Sequence, residues 1–144
     1  MSEEVLTDLA PLAENKDVTL DCTGDALITG SDTLLYRLVF NLVENAIRYS
    51  RSGSTVNVSI SDNDSNVFLR VEDQGPGIPK QYRESIFQPF FRVDKSRSRA
   101  YGGAGLGLAL VWEIAALHGG TVEVETSSEN GTTMLVTLSK GATT

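Results

Sequence analysis

The sequence is short of the residues that mark many specialised chemistries. It has one cysteine, Cys22, one histidine, His118, and one tryptophan, Trp112. A single cysteine excludes an internal disulfide framework and a zinc site built from cysteines, and it fits a reducing compartment. No apolar run approaches the ~20 residues that a membrane-spanning helix needs, and nothing at the start reads as a signal peptide. Positive charge is scarce too: 12 Lys and Arg face 19 Asp and Glu, for a net charge of −7 and a pI near 4.6. A dedicated nucleic-acid surface shows the opposite balance, so DNA and RNA are not expected partners. What remains is a chain of 144 residues, 40% hydrophobic and 22% charged. That is the composition of one globular cytosolic domain of the α/β or α+β class.

Residues 3–15 carry Val5, Leu6, Leu9 and Leu12, a short helical stripe interrupted by Pro11. Residues 18–20 and 26–29 are short strand candidates. Gly30-Ser31-Asp32 then gives a helix start signal, followed by apolar residues at Leu35, Leu38, Val39, Leu42, Val43 and Ala46 up to Tyr49. Two strands are expected at 55–60 and 66–72. From Leu108 to Leu117 a second strong helical stripe runs to Gly119-Gly120, and a hairpin follows at 121–126 and 132–138, turned at Glu129-Asn130-Gly131. The expected fold is α+β, a two-layer α/β sandwich with about three helices on one face of a mixed, mostly antiparallel sheet.

Three places carry chemistry. On the long helix, Asn41, Asn45 and Arg48 fall within an arc of ~60°, away from the apolar stripe. Asparagine is a poor helix former. The face is either an amide-rich solvated surface or a set of neutral oxygen ligands for a hard cation, with Arg48 beside it for an anion. Mg²⁺ carried by phosphates suits the second reading, because it keeps waters and takes few protein oxygens. On the strand of Val67, Leu69 and Val71, Asp73 continues the inward face. A carboxylate there needs a donor. Backbone amides of the turn Gln74-Gly75-Pro76-Gly77 could supply one, or a ligand amine such as the exocyclic amino group of adenine. The third place is Gly102-Gly103-Ala104-Gly105-Leu106-Gly107-Leu108, running into a helix. Such loops cradle phosphates with backbone N–H groups. An ordinary connection fits as well, and the Lys-Ser/Thr of a Walker loop is missing.

Taken together and in order, these pieces resemble the catalytic and ATP-binding domain of bacterial sensor histidine kinases. That domain belongs to the superfamily of gyrase, chaperone, histidine kinase and mismatch-repair ATPases. Asn41-Leu42-Val43-Glu44-Asn45-Ala46-Ile47-Arg48-Tyr49-Ser50 resembles the asparagine box, and Asp73-Gln74-Gly75-Pro76-Gly77-Ile78-Pro79 the first glycine box. Ile86-Phe87-Gln88-Pro89-Phe90-Phe91-Arg92-Val93-Asp94 is similar to the phenylalanine box, Gly103-Ala104-Gly105-Leu106-Gly107-Leu108 to the second glycine box, and Gly131-Thr132-Thr133 to a reduced last box.

The resemblance implies a Bergerat-type fold with a flexible ATP lid, and ATP and Mg²⁺ as cofactors. It implies Asn45 as the metal ligand with Asn41 near the same phosphates, Arg48 on phosphate, Tyr49 near the base and Asp73 reading adenine. It also implies nucleotide contacts from Gly75, Gly77, Ile78, Gly103, Gly105, Leu106, Gly107 and Thr132. Catalytic roles fall to Arg48, to Arg92 of the lid, with Arg97 and Arg99 as further phosphate candidates, and to Glu44 as a polariser of the acceptor. ATP-hydrolysing branches carry a glutamate where Asn41 stands. An amide cannot accept a proton, so ATP is expected to be kept for transfer.

The implied activity is a protein histidine kinase of a two-component system, with the acceptor histidine on a separate dimerisation helix of a full-length homodimer. A cognate response regulator takes the phosphoryl group onward. Residues 1–15 are expected to be a leading helical segment, a remnant of the dimerisation domain, 16–139 the kinase domain and 140–144 a tail. The domain is expected in the cytoplasm, within an inner-membrane sensor. Alternatives are a stand-alone anti-sigma-factor-type serine kinase and a degenerate nucleotide-sensing module.

His118 ends a helix before Gly119-Gly120, where a histidine interacts favourably with the helix dipole, and is not expected to accept phosphate. Trp112 is expected on the surface, Phe87 in packing, and Cys22 as an inert small hydrophobe. The acidic average conceals one basic stretch. Residues 78–101 hold Lys80, Arg83, Arg92, Lys95, Arg97 and Arg99, half of the chain's 12 cationic side chains, against Glu84 and Asp94.

Overall fold

Alternating strands and striped helices meet on one apolar layer. The computed structural model describes residues 2–24, 32–78, 80–88, 107–128 and 130–139. Its elements are helix α1 (Ser2–Lys16), strand β1 (Thr19–Gly24), helix α2 (Asp32–Tyr49), strands β2 (Thr55–Asp62) and β3 (Asn66–Asp73), short 3-10 turns at Lys80–Tyr82 and Ser85–Phe87, helix α3 (Gly107–Leu117), and strands β4 (Thr121–Ser128) and β5 (Gly131–Ser139). The strand candidate at 26–29 lies outside the described residues. The sheet order is β1-β2-β3-β5-β4. Only β1 and β2 run parallel, and the other neighbours are antiparallel. This is the expected mixed, mostly antiparallel sheet with helices layered on one face.

Period two decides which strand residues meet the helices. Cross-strand rows on that face read Val67–Leu138, then Leu69–Val136–Val122, then Val71–Met134–Val124, and finally Asp73–Thr132–Ser127. The first three rows are aliphatic and the last is polar. Against the apolar rows α2 lays Leu35, Leu38, Leu42, Val43, Ala46 and Ile47, all buried, and α3 adds Val111, Ile114 and Ala115. Helix α2 also packs on α1 and α3, so it is the central helix of its layer.

Pro11 does not interrupt α1, contrary to the sequence expectation: the helix runs through it to Lys16. A proline inside a helix removes a donor and costs about 3 kcal/mol. Val5, Leu9 and Ala13 bury one face of α1 in the shared core, and burying a Val or Leu side chain gains roughly 1.5–3 kcal/mol each. Packing wins. At the other end of the helical layer, α3 closes in a Schellman arrangement. Gly120 N–H donates to Ala115 O at 2.8 Å and Gly119 N–H to Ala116 O at 3.1 Å, with Gly119 at φ +70°.

Leu38, 1% exposed, and Leu117, 73% exposed, test this layering. Leu38→Ala should lower unfolding free energy by about 2–5 kcal/mol, whereas Leu117→Ala should change it by less than about 0.5 kcal/mol. Urea titrations of both variants check the contrast.

Candidate functional site

The polar row at the end of the sheet centres on Asp73. The carboxylate is 7% exposed, and one oxygen, Oδ1, accepts two backbone amides: Gly75 N–H at 2.9 Å and Thr132 N–H at 3.2 Å. The turn-holding reading of Asp73 is therefore present on Oδ1. Oδ2 has no hydrogen bond among the described residues. Among the described residues no fully buried side-chain oxygen or nitrogen lacks a partner, so Oδ2 keeps access to solvent space. Burial pushes the Asp73 carboxyl above its ordinary range, the two amides pull it back in part, and neighbouring Glu72 adds to the rise.

The glycine turn is held from three sides. A Cβ on Gly75 would lie 2.3 Å from Tyr49 O, at the end of α2, so only glycine lets the turn sit against that helix. Ser50, buried, accepts the Gln74 N–H at 3.3 Å. Gly77 adopts φ +83°, and a Cβ there would meet Ser128 O at 2.1 Å. Ile78 N–H donates to Ser127 Oγ at 2.7 Å, and Ser127 Oγ lies 2.9 Å from Thr132 Oγ1. Arg83 reaches across with Nε to Ile78 O at 3.4 Å and Nη2 to Ser127 O at 3.2 Å. Arg83, one of the cations of the basic stretch, thus binds backbone carbonyls of the turn and of β4.

On α2, Asn41, Glu44, Asn45 and Arg48 are half-buried beside the core stripe. Arg48 and Glu44 form an i,i+4 ion pair at 3.6 Å, and Tyr49 is 39% exposed. Lys16, at the end of α1, donates from Nζ to the Arg48 carbonyl. Burial, and then the Arg48 charge, push the Lys16 ammonium below its usual value. Helix α3 begins beside this face: a Cβ on Gly107 would sit 3.7 Å from Asn41 Oδ1.

Asn41 and Gly107 are brought together, as are Tyr49 and Gly75, and Asp73, Gly75 and Thr132. Arg92, Gly103, Gly105 and Leu106, with Arg97, Arg99 and Phe90, lie outside the described residues. Phe87 is buried and packs at 5.5 Å, with rings tilted by 36°, on Trp112, which is 50% exposed. His118 donates from Nδ1 to Ile114 O at 2.8 Å, the behaviour expected at a helix end. Ser127 had no signal in the sequence, and Arg83 only its place in the basic stretch, because their contacts depend on how β4 registers against β5.

Comparison with known proteins gives the family to which this fold belongs. The family described as "Histidine kinase-, DNA gyrase B-, and HSP90-like ATPase" matches residues 30–142. The sensor-like histidine kinase SenX3 of Mycobacterium tuberculosis H37Rv is 42% identical over 128 residues, 88% of this chain and 31% of SenX3. The solved mycobacterial sensor histidine kinase MprB superposes with a TM-score of 0.79 at 31% identity, over 96% of this chain and 93% of that chain. Full-length ShkA in complex with AMPPNP superposes with a TM-score of 0.82 at 27% identity, over 95% of this chain and 28% of ShkA. The chain belongs to this ATPase family, as a catalytic domain of the sensor histidine kinase type. It spans about a third of the length of the curated relatives it matches. The serine-kinase alternative is not favoured, since these relatives are sensor histidine kinases.

Because burial raises the folded-state value of Asp73, its ionisation favours the unfolded chain. The stability this group supports is present below the ordinary carboxylate range and lost as pH rises through the raised value. Asp73→Asn keeps an oxygen acceptor for Gly75 and Thr132 and removes the charge. Without nucleotide it should be at least as stable as the parent near pH 7, and the advantage should vanish near about pH 4. Denaturation midpoints at the two pH values check this.

Proposed function

We propose that the domain binds ATP with Mg²⁺ and transfers the γ-phosphoryl group to a histidine on a separate dimerisation helix of a longer, homodimeric sensor kinase. That histidine then passes the phosphoryl group to a response regulator. The observation that carries the reading is Asp73: a nearly buried carboxylate with one oxygen held by the fold and the other left to a ligand. An exocyclic amine donating to Oδ2 makes a charge-assisted bond. Gly75, Gly77, Ile78 and Thr132 line the same corner, and Tyr49 stands at its edge. The AMPPNP bound by ShkA, an ATP analogue, supports a nucleotide as the ligand.

Phosphates would extend from the base toward the α2 face and the start of α3. Arg48 neutralises phosphate charge there, and Asn41 and Gly107, which face each other, border the path. By the family resemblance, backbone donors of Gly103, Gly105 and Leu106 and the guanidinium of Arg92 would complete the phosphate site. The donor set fits Mg²⁺ brought by the nucleotide. Among the described residues no cluster of three or more His, Cys, Asp or Glu side chains could cage an ion, while Asn45 presents a single neutral oxygen on the half-buried face. When bound with the triphosphate, the ion supplies charge neutralisation along the phosphates.

Catalysis by the chain's own groups is positioning and charge stabilisation. The P–O bond to the β-phosphate breaks as the acceptor nitrogen bonds phosphorus, and ADP leaves with the electron pair. Glu44, whose carboxylate is paired with Arg48, is read as a polariser of the acceptor. Asn41 offers water no base, which favours transfer over hydrolysis. The leading segment 1–15, whose Val5, Leu9 and Ala13 pack into the core of the kinase domain 16–139, is read as a remnant of the dimerisation domain, and 140–144 as a tail. We place the domain in the cytoplasm, within a parent anchored in the inner membrane. Among the described residues no helix is long and apolar enough to cross a membrane.

Calorimetry with ATP and Mg²⁺ tests the reading. The parent chain should bind, and Asp73→Asn, which presents a donor where the amine needs an acceptor, should lose about tenfold to a hundredfold in affinity. Equal affinity in the two proteins would falsify the assignment of Asp73 to the base.

A further inference from the structure

The polar row that ends the sheet has a third member. Asp73 pairs directly with Thr132 across β3 and β5, and Ser127 pairs directly with Thr132 across β4 and β5. Directly opposed residues project from the same face of a sheet, so Ser127, Thr132 and Asp73 stand side by side. Simple alternation from Val122 and Val124 would have put Thr126 on that face and turned Ser127 away. The register shift between Val124 and Thr126 inserts one residue, Glu125, and returns Ser127 to the row. Glu125 is held on the opposite face by Arg70 of β3, with Nε to Oε1 at 2.8 Å and Nη2 to Oε2 at 3.0 Å, a two-pronged fork that spans β5.

A serine hydroxyl has one hydrogen to give and two lone pairs to receive. One lone pair of Ser127 Oγ receives the Ile78 N–H at 2.7 Å. Between Ser127 and Thr132, 2.9 Å apart, either hydroxyl can be the donor. If Ser127 donates, the Thr132 hydrogen is released to point beside Asp73. If Thr132 donates, it offers only a lone pair there. Adenine carries a ring nitrogen acceptor next to its exocyclic amine, and an acceptor at that spot selects the first arrangement.

We infer that Ser127 is a positioning residue for base recognition: its Oγ pins the Ile78 amide and turns the Thr132 hydroxyl into a donor beside Asp73. The acceptor–donor pair of Asp73 and Thr132 then matches the amine-plus-ring-nitrogen edge of adenine. This rests on the reading that the nucleotide base sits at Asp73.

The test compares ATP with 1-deaza-ATP, which keeps the amine and replaces the ring nitrogen by C–H, using the full chain in Mg²⁺. The parent should bind ATP more tightly than the 1-deaza analogue. Ser127→Ala should weaken ATP by about three- to tenfold and 1-deaza-ATP by less, while Ser127→Thr, which keeps the hydroxyl, should bind ATP like the parent. An equal loss of both nucleotides in Ser127→Ala marks a general effect on the fold and overturns the inference. So does no loss of ATP in Ser127→Ala, an equal loss in Ser127→Thr, or a parent that binds the two nucleotides equally. A parent that binds neither nucleotide refutes the nucleotide site itself.

Discussion

A carboxylate placed at the end of an apolar sheet face costs heavily in desolvation unless donors hold it, and the molecule is arranged around that constraint. Asp73 follows Val67, Leu69 and Val71 on the inward side of β3, so the alternation that builds the core also buries the charge. Two backbone amides meet one of its oxygens. One comes from the turn that follows β3 and the other from the start of β5, so the local chain path and the sheet register both serve the same atom. Gly131 permits this closeness, since a Cβ there would lie 2.1 Å from Asp73 O. The second oxygen is left for a ligand. In the proposed function the base is read by the half of this buried charge that the fold does not satisfy.

The remaining elements fix the walls of that corner. Helix α2 is anchored by its buried stripe, and its last turn is met by Lys16 of α1 and by the Gly75 turn. Its Asn41, Asn45 and Arg48 therefore project from a body whose position is set by core packing. Helix α3 brings Gly107 to Asn41, and Phe87 with Trp112 ties the 3-10 turn of Ser85–Phe87 to α3. Arg83 joins the glycine turn to β4. Part of the basic stretch that stands out in the sequence thus serves the turn itself.

Much of this is legible in the sequence. The long helix has the bounds its N-cap signal and stripe give, Asp32 to Tyr49, and the hairpin of β4 and β5 follows from two alternating runs around Asn130-Gly131. Asp73 can be placed on the inward face because period two extends to the last residue of β3. Pro11 misleads because local propensity opposes a helix that tertiary burial of Val5, Leu9 and Ala13 sustains. Ser127 and Arg83 are not legible for a different reason. A one-residue bulge in β4 inverts the facing of everything beyond it, and nothing in Glu125-Thr126-Ser127-Ser128 announces the insertion. The bulge brings Glu125 to the Arg70 fork across β5, a contact between residues far apart in the chain.

The central claim is that the end of the sheet reads adenine through Asp73 and its neighbours. Backbone amide resonances followed by nuclear magnetic resonance during titration with ADP, and separately with GDP, test it most directly. Guanine presents a carbonyl where adenine has its amine, and that oxygen faces a carboxylate. The account predicts saturable ADP shifts concentrated at Gly75, Ile78 and Thr132, with GDP giving weak or no saturation at the same amides. Saturable ADP shifts centred elsewhere, or equal responses to the two nucleotides at this row, would contradict it.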